Sequence, residues 1–310
     1  GNLTGDRYTH QYISGTGANT HEWGHLIYFV GAHNSVIDGV NIKEGTGDGI
    51  EIRGTEHRNN DGSLKSHGRE TYNVTIKNCI IDDNRRDNIS VTDGTNIFIE
   101  YNTILNAGSG DSNSDVSSNG TSPRTGIQIE SYKHNAPDNN SVYDLQLVTN
   151  LHIRNNTFNY SYGNDLVLYN GETIYVYENT FKSKRAIGTQ YSFNNKIYNN
   201  LFERDEGLMG GSIAINLVTK YWENGEYRVK DYEITNNTFT GYKLGIVTGG
   251  QGHKVKNNTL TDNQRGILLV NSKNLEFDNN IITSNVVNSS GYETFSSEVT
   301  IKNCLIKNGE

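Results

Sequence analysis

The chain has almost no proline, methionine, tryptophan or cysteine: two, one, two and two residues among 310. Two cysteines far apart, Cys79 and Cys304, make neither a disulfide framework nor a zinc site. No run of eighteen apolar residues occurs, so no membrane insertion is expected. An excess of basic charge is missing too. The formal charge is −8, and nucleic acid is excluded as a partner because phosphate binding needs a basic face. The start, "GNLTGDRYTH", lacks the basic and then apolar profile of a signal peptide. What is abundant is glycine (33), tyrosine (19) and asparagine in pairs, with many Val, Ile and Thr, so the chain reads as all-β.

A repeat underlies the asparagines. The segments "VTIKNCII", "IFIEYNTIL", "LHIRNNTF", "IYVYENTF", "KIYNNLF", "YEITNNTF", "HKVKNNTL", "LEFDNNII" and "VTIKNCLI" share one pattern: an alternating strand, a polar pair and an apolar residue. The second member of the pair is Cys79, Asn102, Asn156, Asn179, Asn200, Asn237, Asn258, Asn280 and Cys304. A second column has apolar anchors Ile50, Ile89, Ile127, Leu166, Ile187, Ile213, Ile246 and Ile267. Units this short must stack on copies of themselves to bury an apolar side. Coils at the strand spacing of about 4.8 Å make a parallel β-helix, with the asparagines bonding as a ladder from coil to coil. The two cysteines take ladder positions as small buried residues. The ladder also generates N-x-[ST] triplets by itself, so these are not read as glycosylation sites.

Side chains alternate along a strand, so neighbours of the anchors point outward. The outward set is Asp48, Glu51 and Arg53, then Asp87, Ser90 and Thr92, then Thr125, Gln128 and Glu130, then Asn164, Val167 and Tyr169. Arg85 and Arg86 stand just upstream of Asp87, and Arg124 lies one coil further. Later coils carry Ala214, Val247, Leu268 and Val270, so the polar field fades along the axis. The same early coils hold the long insertions "GTEHRNNDGSLKSHGRETY", "GSGDSNSDVSSNGTSPR" and "YKHNAPDNNSVYDLQ", where a rigid scaffold builds binding sites. His21 and Trp23 of "THEWGH" are assigned to an N-terminal cap, and the histidines of "EHRNNDGSLKSH" have no metal-ligand spacing.

Carboxyl pairs such as Asp48 with Asp87, or Asp87 with Glu130, meet the requirement of glycoside hydrolysis. Crowding raises one pKa while Arg86 or Arg124 keeps the other acid ionised. A uronate lyase or C5-epimerase would instead use Arg85, Arg86, Arg124, His57 or Tyr169 to move a proton, with Ca²⁺ or a cationic side chain neutralising the uronate. The residues leave these routes open.

The coil pattern over about residues 25–310 resembles the pectate-lyase-like right-handed parallel β-helix superfamily. "GDRYTHQY", "THEWGHLIYFVGAHNSVIDGVNI", "TGDGIEI", "NRRDNISV" and "PRTGIQIES" are similar to segments of bacterial and phage members, among them tail-spike and tail-fibre depolymerases. The resemblance implies a single-stranded right-handed β-helix over 34–310 behind a capping segment and first coil at 1–33. It implies a cell-surface or extracellular polysaccharide as partner, an extracellular or virion-tail location, and a homotrimer where the chain is tail-associated. Where relatives carry an Asp in "GIDIEP", this chain has Gln128. The expected activity is a polysaccharide depolymerase of the glycosidase type, with Glu51, Asp87, Glu130 and Asp48 catalytic. Arg53, Arg85, Arg86, Arg124, Gln128, His57 and Tyr169 would bind substrate, with no metal or other cofactor. The alternatives are the lyase or epimerase, which admits Ca²⁺, and a non-catalytic receptor-binding or adhesin β-helix.

Overall fold

The computed structural model describes residues 1–12, 23–58, 64–67, 69–109, 119–131, 147–204, 211–217, 222–223, 226–284 and 297–308. Three strand columns wind around one core. The ladder column is an eleven-stranded parallel sheet that starts with Asn2–Thr4 and Asn41–Lys43 and ends with Leu305–Asn308. The anchor column includes Ile27–Val30, Ile50–Arg53, Ile89–Val91, Ile127–Glu130, Leu166–Tyr169, Arg185–Gln190, Ile213–Leu217 and Leu244–Gln251. The third column runs from His33–Asp38 through Tyr72–Lys77, Gly94–Glu100 and Val148–Arg154. Arg265–Asp278 continues from the anchor column into the third. Among the described residues no helix is long and apolar enough to cross a membrane.

The polar pairs divide their work. Their first members, seven asparagines (Asn78, Asn155, Asn199, Asn236, Asn257, Asn279 and Asn303) together with Tyr101 and Glu178, all take φ between 52° and 57°. Asparagine tolerates this left-handed corner better than most side chains. The second members turn inward. Asn179 sends both its backbone N–H and its Nδ2 to Asn200 Oδ1, each at 3.0 Å. Asn200 does the same to Asn237 at 2.9 and 3.0 Å, and its Nδ2 also serves the carbonyls of Val176 and Tyr198. The expected cysteines close the series: the Cys79 N–H donates to Asn102 Oδ1 at 3.0 Å, and Asn280 Nδ2 lies 3.7 Å from Cys304 Sγ. Both thiols are free. Beside this ladder, Phe158, Phe181, Phe202 and Phe239 stack nearly parallel with centroids 4.6–4.9 Å apart. Each ring follows its ladder asparagine by two residues, so one repeat fixes both the polar and the apolar column.

The register corrects one anchor. Ile187 pairs with Ile215, not Ile213, and Ile215 continues to Ile246 and Ile267. "GSIAINL" alternates equally well from either isoleucine, and the sequence pattern alone chooses the wrong one. The outward neighbour there is therefore Asn216 rather than Ala214. The column runs Val167, Gly188, Asn216, Val247 and Leu268, so one polar residue interrupts the fading field.

Two buried titratable groups pull stability in opposite directions with pH. Burial lowers His253 to about 4 although the Gly249 carbonyl lies 2.8 Å from its ring. The unfolded chain therefore binds the extra proton, and this contribution is lost as pH falls from about 6.5 toward 4, roughly 3 kcal/mol in full. Burial raises Asp165 to about 7 despite the Ser183 hydroxyl donating at 2.5 Å. Its contribution is present at low pH and is lost as pH rises toward 7.

Two outcomes are expected. Asn200→Ala leaves Asn179 without its acceptor and should cost about 2–4 kcal/mol in urea unfolding, because two buried donors lose a partner at once. His253→Gln should lose less stability than the parent between about pH 7 and pH 5 in thermal melts, since it no longer gains a proton on unfolding.

Candidate functional site

Three of the four sequence-predicted acids, Asp48, Asp87 and Glu130, meet at one guanidinium, while Glu51 lies beside His25 and Arg53. Arg86 Nη1 donates to Asp48 Oδ1 and Oδ2 at 3.2 and 3.0 Å and lies 3.3 Å from Asp87 Oδ2. Its Nη2 reaches Glu130 Oε2 at 3.5 Å. Stacking produces this. Ile50, Ile89 and Ile127 are in register, so Asp48 and Asp87 hold equivalent places two residues ahead on adjacent coils. Asp48 is further tied by the Ser90 hydroxyl at 2.6 Å and the Asp87 N–H at 3.0 Å, and Asp87 Oδ1 accepts the Thr125 N–H at 2.7 Å.

The face is more closed than an outward-pointing set suggests. Asp48 and Asp87 side chains have 0% exposure, whereas Arg86 has 17% and Glu130 34%. Ser90, Gln128 and Glu51 are buried as well. Burial pushes the Asp87 carboxyl well above the ordinary carboxylate range. The charge of Arg86 opposes that shift, and Asp48 adds to it. Two acids one coil apart thus sit in unequal surroundings. Asp48 has four donor contacts, and Asp87 is held toward its neutral form.

His25 belongs to this cluster and was not picked out from the sequence. The Asp48 N–H donates to its Nδ1 at 3.2 Å, which leaves the ring proton on Nε2. Nε2 approaches Glu51 Oε2 at 2.6 Å in a direction that misses a regular hydrogen bond. A signal existed: His25 stands two residues before Ile27, the offset of Asp48 from Ile50 and of Asp87 from Ile89. Around His25 lie Trp23 (62% exposed) and Tyr28 (49% exposed), with ring centroids 6.2 and 5.5 Å away. Arg53 Nη1 donates to the Tyr28 hydroxyl at 3.0 Å and lies 3.9 Å from Glu51 Oε1.

Other expected binding residues go elsewhere. Arg85 is fully buried, with its guanidinium 4.6 Å from the Tyr12 ring centre and its Nε donating to the Asn119 carbonyl at 3.1 Å. Arg124 sits one coil from Arg86, but its backbone has φ 65° and its side chain turns away. Its Nε donates to the Gly108 carbonyl at 2.6 Å, and the guanidinium lies 3.3 Å from the centre of the Tyr162 ring. Each of these arginines is thus held in packing rather than beside the acids. Tyr169 is in register with Glu130 and packs edge-on against Tyr191 at 5.7 Å. The side chain of His57, together with His21, Tyr132 and most of the three insertions, lies outside the described residues.

Ligand atoms of His25, Asp48 and Glu51 lie within 4.8 Å of one another. Calcium takes six to eight oxygens, and here one donor is an imidazole while Asp48 already accepts from Arg86, Ser90 and Asp87. This donor set does not fit calcium.

Replacing Arg86 with Gln removes the main influence that lowers Asp87. Carbon-13 NMR of the Asp side chains should show a carboxyl titrating well above the ordinary range in the parent and higher still in Arg86→Gln.

Residues 221–310 match the family described as "Right handed beta helix region". Two Bacillus subtilis (strain 168) proteins are similar in sequence. Uncharacterized protein YclG is 30% identical over 313 residues, covering 99% of this chain and 50% of YclG. SPbeta prophage-derived uncharacterized protein YorA is 27% identical over 264 residues, covering 84% of this chain and 40% of YorA. The chain thus spans half or less of these relatives. Among solved structures, PfbA, a surface adhesin of Streptococcus pneumoniae, aligns with TM-score 0.47 and 13% identity over 85% of this chain and 72% of that one. The tailspike protein gp49 of Acinetobacter baumannii bacteriophage Fri1, a capsular polysaccharide depolymerase, aligns with TM-score 0.37 and 12% identity over 87% and 48%. Coil register, ladder and family match agree that the chain is a right-handed parallel β-helix.

Proposed function

We propose that this β-helix binds an extracellular or cell-surface polysaccharide on its anchor face and cleaves it by glycoside hydrolysis. One observation carries the reading: Asp87 and Glu130 lie at opposite nitrogens of Arg86, and burial holds the first toward its protonated form. We assign an inverting mechanism, which needs roughly 6.5–9.5 Å between the carboxyls against roughly 5 Å for a retaining one, because a guanidinium is held by both acids at once. In that mechanism Asp87 protonates the leaving oxygen while Glu130, the more exposed acid, draws a proton from the attacking water. The sugar must displace Arg86 from Asp87 for the proton to pass. Asp48 accepts from both Arg86 and Ser90 and so anchors the guanidinium. Exposed Trp23 and Tyr28 offer ring faces to a sugar, and Arg53 fixes the Tyr28 hydroxyl. Attachment to a phage tail or a related particle, and trimerisation there, belong to the same proposal.

A second reading rests on the closure of the site. With Asp48 and Asp87 wholly enclosed, the face can serve as a receptor-binding surface without turnover.

Incubation with capsular or wall polysaccharide separates the readings. New reducing ends without absorbance near about 235 nm are expected for inverting hydrolysis, whereas a lyase gives both. Asp87→Asn and Glu130→Gln should each lower turnover at least about 100-fold while circular dichroism stays unchanged. Full activity in both variants removes the assignment, and binding without any product favours the adhesin.

A further inference from the structure

A concavity with a volume of about 480 Å³ lies further along the same edge of the solenoid. Its rim is cationic on a chain of net charge −8: Lys182, Lys184, Arg185 and Arg204 surround Tyr160 and Tyr162. Lys182 is paired with Glu203 at 2.8 Å. Lys184 and Arg185 are exposed, and no carboxylate partner is found for either among the described residues. Tyr160 and Tyr162 are 62% and 50% exposed. Both tyrosines and these two cations are therefore open to solvent, with one face of the Tyr162 ring already carrying the Arg124 guanidinium. A solvated charge run on a strand has no need of a cavity or of aromatic walls. A sugar carrying an acidic group needs both, a ring face to stack on and a cation to meet.

Position links this pocket to the acids. Backbone bonds run from Asn88 N to Thr125 O, from Gly126 N to Asn164 O and from Asp165 N to Arg185 O. Arg185 thus lies three coils from Asp87 in one column, about 14 Å at the strand spacing. Arg124, one coil from Arg86, lays its guanidinium on Tyr162 and bridges the interval. A chain of a few sugar rings spans that distance.

We infer that the pocket of Tyr160, Tyr162, Lys184 and Arg185 is a distal subsite for the acidic group of an anionic polysaccharide, a carboxylate or a phosphate, lying along the solenoid axis. The inference rests on the proposed polysaccharide reading and narrows it from any glycan to an acidic one.

The test measures binding, with Asp87→Asn used so that no probe is consumed. The probes are polygalacturonate, poly(glycerol phosphate) and neutral dextran, titrated by calorimetry at about 50 and 200 mM salt. At least one acidic polymer should bind, with affinity falling as salt rises, and dextran should not. The acidic polymer that binds more tightly identifies the group. Adding Lys184→Gln and Arg185→Gln should weaken that binding about tenfold and flatten its salt dependence. Equal affinity for dextran, unchanged affinity in the doubly neutralised variant, or no binding of either acidic polymer overturns the subsite. Reducing-end release by the parent is scored separately. A subsite that fails while cleavage persists sinks only the choice of an anionic ligand, and a subsite that holds without cleavage sinks only the hydrolase.

Discussion

Hydrogen bonds directed along the solenoid axis are the condition for everything else in this protein. The Asn102-to-Asn280 series gives each buried turn an acceptor in the next coil, and that coil in turn needs the following one. If the ladder slipped by one residue, every side chain would exchange core for surface. The register it enforces brings Asp48 and Asp87, 39 positions apart in sequence, onto one guanidinium. Chemistry here is a product of coil spacing, since no single segment holds the cluster.

The enclosure of that cluster sets its electrostatics. An isolated buried carboxylate is costly, and three acids near one arginine are not all neutralised by it. The fold resolves this unevenly. Asp48 is given hydroxyl, amide and guanidinium donors, while Asp87 receives one amide bond and shares the guanidinium. Unequal solvation of paired acids is what acid–base catalysis exploits. The pairing also makes Arg86 both the brake on Asp87 and the obstacle in front of it.

The fold was legible in the sequence because its rule is local and repeated: a left-handed Asn, an inward Asn, then an apolar residue two positions on. Where repetition weakened, legibility did too. Ile213 and Ile215 stand in an alternating segment beside an insertion, and only pairing with Ile187 decides between them. In the candidate site, Asp48, Asp87 and Glu130 followed from strand alternation, but their burial did not, because alternation names a face and says nothing of what covers it. Arg85 and Arg124 show the same limit. Their place in the coil was foreseeable, yet a stacked Tyr12 and a left-handed turn redirected the two side chains. His25 was hidden in an N-terminal segment read as a cap, and Lys184 and Arg185 in "KSKRAIG" carry no signal of a pocket until the coil places Tyr160 and Tyr162 beside them.

The ladder has a mechanical side as well. Its bonds are aligned with the long dimension, so a pull along the axis is transmitted through every rung. Load carried in series is limited by the weakest rung. Amide-to-amide rungs run from Asn102 to Asn280, and a sulfur contact at 3.7 Å follows at Cys304. Under tension along the axis, the described coils would part first at that sulfur contact while the amide rungs hold.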